Sequence, residues 1–149
     1  MSTETLRYAV WMLLAGIGIP ILAALNSQLG ARLGAPVAAG FVLFSVGFAT
    51  ATVLLLLSGQ APALATLSVQ PKYLLLAGLL MAFYAFSITF VAPRFGVGNA
   101  VFCVLLGQMI AATLIDHFGL FGTAIHTVTA TRAIGLVAMT AGLALIQRG

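Results

Sequence analysis

Charge is nearly absent. Only 5% of the 149 residues are charged, six Lys or Arg against two acids, Glu4 and Asp116. A soluble domain carries about a quarter. This chain cannot coat a water-facing surface, and it leaves no room for a soluble domain. The six cations, Arg7, Arg32, Lys72, Arg94, Arg132 and Arg148, form no basic run and alternate with no aromatic cluster, which excludes nucleic acid as a partner. Cysteine is confined to Cys103, so a disulfide framework or a thiolate metal site is unavailable. Its apolar setting predicts a buried, inert thiol. Also missing are paired carboxylates, a phosphate-binding loop and a Ser/His/Asp arrangement of workable geometry. No catalytic residue, metal site or cofactor is expected.

What remains is apolar: 62% of the residues are hydrophobic and the mean hydropathy is +1.21. Crossing the roughly 30 Å hydrocarbon core takes about 20 apolar residues in a helix. Five uncharged segments approach that length: 8–25, 37–57, 73–92, 98–115 and 133–146. None alternates polar with apolar as barrel strands do. The chain reads as one all-α integral membrane domain over 1–149, with five transmembrane helices and the bilayer as its solvent. Arg7 and the apolar run after it could mimic a signal peptide, but the four later runs favour a first span. Tyr8, Trp11 and Tyr73 suit an interfacial aromatic belt.

Five spans put the termini on opposite faces. Arg7, Lys72 and Arg132 then share the N-terminal face, called side A, and Arg32, Arg94 and Arg148 share side B. Lys and Arg near span ends set orientation, and a three-to-three split specifies none. The expectation is insertion both ways up, with inverted copies pairing as an antiparallel homodimer of ten spans. Transporters built from two inverted halves hold their site at the midplane, and such a dimer makes that architecture from one chain.

Polar residues within the spans are the site candidates. Gln108 lies about 15 Å into the fourth span, either touching substrate in a central cavity or bonding another helix. Tyr84 and Ser87 share a face of the third span, again as cavity lining or as interhelical bonds. Asn26 follows the first span, as lining or as ordinary helix-end polarity. Asp116 and His117 fall at the side A interface with Arg132 available as a partner. They either bridge the fourth loop or form a gate or proton-linked pair, since His titrates near physiological pH. Pro20 frees the carbonyl of Gly16, making Gly16 and Pro20 a candidate hinge. Gly40 and Gly47, like Gly135 and Gly142, repeat at seven and suit close helix packing. Arg32-Leu33-Gly34 and Arg94-Phe95-Gly96 each predict a last-turn Arg and a left-handed glycine cap.

Several stretches together resemble the short YdcZ-like family of bacterial inner-membrane proteins, in the drug/metabolite transporter superfamily. They are Gly16-x-Gly18-x-Pro20 with Asn26 and Leu29-Gly30; Ala77-Gly78-Leu79-Leu80-x-x-Phe83-Tyr84; Pro93-Arg94-Phe95-Gly96; Gly107-Gln108 leading to Ile115-Asp116-His117-Phe118-Gly119; and Arg132-x-x-Gly135 with Gly142. The likeness covers essentially the whole chain. It implies a five-helix half of a ten-helix transporter in the inner membrane, pairing antiparallel as the small multidrug resistance proteins do. Those proteins use a carboxylate in their first helix, and the first span here has none. A small metabolite, neutral or anionic, therefore fits better than a cationic drug, moved by alternating access. The alternatives are a non-transporting accessory or scaffold protein, or one half of a heterodimer with a paralogue of opposite charge bias.

Overall fold

A computed structural model describes residues 3–146 and 148. All regular structure among them is helical: α1 Thr3–Leu33, α2 Pro36–Leu57, α3 Leu76–Phe95, α4 Val97–Phe118 and α5 Ala130–Ile146, with short 3-10 segments at Ala61–Val69, Lys72–Leu75 and Leu120–Gly122. The first four spans are long and apolar enough to cross a membrane, and α5, of 17 residues, is shorter. Residues 8–25, 37–57, 98–115 and 133–146 fall within α1, α2, α4 and α5, while 73–92 begins in the 3-10 segment Lys72–Leu75 and continues along α3.

The contacts divide into two units, one up to Val97 and one from Gly98 on. In the first, α1, α2 and α3 pack through small side chains. The buried positions are Ala23, Asn26, Ser27 and Gly30 of α1, Ala39 and Gly40 of α2, and Ala85, Ile88, Thr89 and Ala92 of α3. Small residues dominate because lipid gives no hydrophobic drive between helices, so close van der Waals approach must supply the attraction. A Cβ on Gly30 would lie 3.3 Å from the Pro36 Cα and 3.5 Å from the Thr89 Cγ2, so glycine is what lets three helices meet there. Gly30→Val should destabilise this unit by about 1–3 kcal/mol, measured as a lower melting temperature in detergent.

The turn between α1 and α2 is set by Gly34 at φ +62°. Its N–H donates to the Ala31 carbonyl at 3.2 Å, and the Ala35 N–H donates to the Gly30 carbonyl at 3.1 Å. These are the paired bonds of a Schellman cap. Arg32 and Arg94 both occupy last helical turns as expected. Gly96 also has a positive φ, 87°, as glycine allows, but its ψ of 140° lies outside the αL region, so it links directly to α4 without an αL cap. The Arg94 guanidinium bonds the Phe90 carbonyl at 2.7 Å and stacks 4.2 Å from the Phe90 ring centre.

Helix ends depart from the hydropathy reading. α1 continues past Leu25 to Leu33, giving about 46 Å of helix from its 31 residues. It also runs unbroken through Pro20. Pro93 lies within the last turn of α3 and does not end it. The second loop, from Ser58 on, holds two 3-10 segments flanking Gln70-Pro71.

Polar side chains on exposed faces of α2 are satisfied internally. The hydroxyls of Ser45, Thr50 and Thr52 donate to the carbonyls of Phe41, Val46 and Phe48, each four residues back. A hydroxyl bonded within its own helix can face lipid at little cost. Gly40 packs against the Phe86 ring, whereas a Cβ on Gly47, Gly135 or Gly142 would meet nothing within 4 Å.

Candidate functional site

The first unit carries five of the expected site residues, Asn26, Tyr84 and Ser87 with the candidate hinge Gly16 and Pro20. Asn26 is buried, and its amide donates to the Thr89 hydroxyl, which in turn donates to the Ala85 carbonyl. This relay links α1 to α3 through their buried faces. Thr89 was not expected from sequence, where it sits inside an apolar run. The spacing Ala85, Ile88, Thr89, Ala92 is the available signal, since it places four small or compact residues on one helix stripe. Replacing Thr89 by Val keeps the shape but strands the Asn26 amide, at a cost of about 1–3 kcal/mol, readable as a lower melting temperature. Asn26→Leu with Thr89→Val should recover part of that loss.

Tyr84 lies near the middle of α3, and its hydroxyl oxygen is buried without a partner among the described residues, as is the Ser27 hydroxyl. Both are donors held in an apolar setting, where an unmade hydrogen bond is costly. Ser87 lines an open groove of about 450 Å³ with Pro36, Val37, Phe86, Phe90 and Val91. Its hydroxyl is the polar side-chain group of that apolar lining.

The second unit shows what the Asp-His-Phe-Gly stretch does. Arg132 and Asp116 form the ion pair expected from their shared face, at 2.7 Å, with both partly exposed. The Asp116 carbonyl accepts the His126 N–H at 2.9 Å. The His117 Nδ1 accepts the Val128 N–H at 3.2 Å, so its ring proton sits on Nε2. Gly119 is left-handed at φ 61°, ψ 34°, and a Cβ there would lie 2.7 Å from the Ile125 Cγ1. Glycine is therefore needed twice, for conformation and for room. The Thr129 hydroxyl caps α5 by accepting the Arg132 N–H at 3.2 Å. The loop after α4 is thus folded back and fastened to the end of α4 through Asp116, His117 and Gly119, within four residues. Beside it, Ile125, His126, Thr127, Thr129 and Arg132 line a second open groove of about 580 Å³.

His117→Phe removes the acceptor for Val128. Amide exchange at Val128 should rise about tenfold, the loss of roughly one hydrogen bond. His117→Asn should restore much of the protection.

Gln108 is exposed at the centre of α4, with no hydrogen-bond partner among the described residues. Cys103 is also exposed, which corrects the expectation of burial. An apolar run reads alike whether lipid or protein surrounds it. Gly16 and Pro20 lie within continuous helix, and a Cβ on Gly16 would meet nothing within 4 Å.

Residues 7–145 match the family model described as "Putative inner membrane exporter, YdcZ". The chain belongs to the YdcZ family. It is accordingly a multi-pass inner-membrane protein of a transporter family. No curated protein and no solved structure matched the chain. The Asp-His-Phe-Gly stretch singled out for the YdcZ resemblance is thus the one that builds the loop after α4.

Proposed function

We propose that the chain exports a small metabolite by alternating access, working as an antiparallel, dual-topology homodimer. The supporting observation is the even split of basic residues over the helix ends. Arg7 lies near the start of α1, Lys72 precedes α3 and Arg132 lies in the first turn of α5, while Arg32 and Arg94 end α1 and α3 and Arg148 follows α5. With five crossings, that is three cations on each face and no orienting bias.

Two inverted copies exchange inward-open and outward-open states by symmetry, so the two states have equal energy without a gradient. Tyr84, Ser87 and Asn26 line the shared pathway, and Gln108 lies where the two copies meet. Tyr84 has an unmade hydrogen bond to offer, and Ser87 adds a hydroxyl to an aromatic groove. Asn26 holds α1 to α3 beside it. Gly16 and Pro20 supply the hinge. The Asp116–Arg132 pair, with His117 anchoring the loop, serves as the gate, present once at each face of the dimer. A neutral or anionic substrate suits a pathway without a central carboxylate.

The deciding experiment fuses reporters active on opposite faces of the membrane to the C-terminus. Comparable activity from both is expected. Activity from one alone overturns the dual-topology dimer and favours pairing with a paralogue. For the gate, Asp116→Asn should abolish export of metabolites from overproducing cells while leaving the protein in the membrane. Unchanged export would remove Asp116 from that role.

A further inference from the structure

We infer that Gln108 of one copy pairs with Gln108 of an inverted second copy, two carboxamides bonding each other where α4 crosses its counterpart. This rests on the antiparallel dimer proposed above and names the contact that joins it.

A two-fold axis lying in the membrane plane reverses depth. A residue meets its own counterpart across such an axis only if it sits at mid-depth. Gln108 has eleven residues of α4 before it and ten after. It is therefore within about 1 Å of the helix centre. No other amide or charged side chain occupies that level of α4.

The carboxamide is also unsatisfied. It is exposed and makes no hydrogen bond among the described residues, whereas the hydroxyls of Thr113 and Thr140 donate to carbonyls of their own helices. Left in lipid, its donors and acceptor would go without partners, which is costly in a medium that offers no hydrogen bonds. A carboxamide carries both donor and acceptor, so two of them related by a two-fold axis satisfy each other reciprocally, the pattern of an isologous contact.

Steric access favours the same site. Residues 107–112 are exposed, and a Cβ on Gly107 would meet nothing within 4 Å. Gly107 and Ala111 flank Gln108 at a spacing that lets two helices approach closely. The occupant is a copy of this chain because the cations stand three to three, so the membrane holds both orientations and the level of Gln108 is common to them.

Cysteine cross-linking in native membranes tests the pairing on the full chain, in a Cys103→Ala background with copper phenanthroline as oxidant. Val104 and Ala112 lie four residues either side of Gln108 on its face. In an inverted pair, position 104 is level with the partner's 112, while identical positions stand about 12 Å apart in depth. Gln108→Cys should therefore link to itself. Val104→Cys and Ala112→Cys should link only when co-expressed. Strong self-linking of Val104→Cys and of Ala112→Cys means the copies are parallel, and overturns both the pairing and the dimer proposal. Absence of all these links, while C-terminal reporters still show both orientations, overturns the Gln108 pairing alone. The mixed pair keeps Gln108 intact and so tests the contact even if Gln108→Cys inserts poorly. Gln108→Leu should loosen the dimer about tenfold, read by energy transfer between labelled copies in liposomes. An unchanged dimer there also overturns the pairing.

Discussion

Gly40→Leu should leave little folded protein to recover, with whatever survives in detergent melting far below the parent. A Cβ at position 40 would clash with the edge of the Phe86 ring at Cε1 and Cδ1. That ring cannot simply swing aside. It stacks, tilted by 49°, at 5.9 Å from the Phe44 ring, one helical turn along α2, and it lines the groove that holds Ser87. Overpacking of even a methylene or two costs about 1–3 kcal/mol, and leucine adds four carbons. Against a total stability of about 5–15 kcal/mol, the first unit should not stay assembled. Phe86→Ala in the Gly40→Leu background should return much of the stability, since it vacates the space the leucine claims. That coupling is the diagnostic. Gly47→Ala is the control: it is one heptad along α2 with nothing within 4 Å, and should shift stability by less than about 0.5 kcal/mol. A Gly40→Leu protein melting like the parent would mean that α2 and α3 do not meet at this point.

The same helices show where sequence reading succeeds and where it stops. Hydropathy finds the helices because a membrane segment must be apolar along its length, and each of the five runs overlaps one α-helix. It misplaces the end of α1 because it measures transfer to lipid, not helix formation. Asn26 and Ser27 break the apolar run, yet they are buried against other helices, with Thr89 supplying the partner for Asn26. Thr89 itself is invisible to hydropathy, since only a tertiary neighbour gives its hydroxyl a purpose. The Asp116–Arg132 pair is legible from which face each residue must share. The acceptor role of His117 is not, because the Val128 N–H arrives through a loop whose path depends on Gly119 and on Phe121, which holds φ 57°. The exposed Cys103 marks the same boundary, since sequence cannot separate a lipid-facing side chain from a protein-facing one.

The largest functional effect should come from changing charges that touch no substrate. Gln60→Lys with Gln70→Lys adds two cations to side A, in the exposed second loop, and makes the count five against three. Arg7→Ser with Lys72→Ser leaves side A with Arg132 alone against three. Arg132 is kept in both because it holds Asp116. Basic residues close to span ends are retained in the cytoplasm, so the first variant should insert with side A inside and the second with side A outside. Each alone should lose nearly all inverted pairs, and with them the export seen from the parent chain. Co-expressed, the two supply both orientations again, and export should return through heterodimers of one variant with the other. A stability defect does not predict this pattern, because two damaged proteins do not repair each other by mixing. C-terminal reporters check the orientations, and differently tagged copies captured together check the pairing. If either variant, held in a single orientation, exports as well as the parent, then inverted pairing is not what makes the transporter, and the even distribution of cations has no mechanistic role.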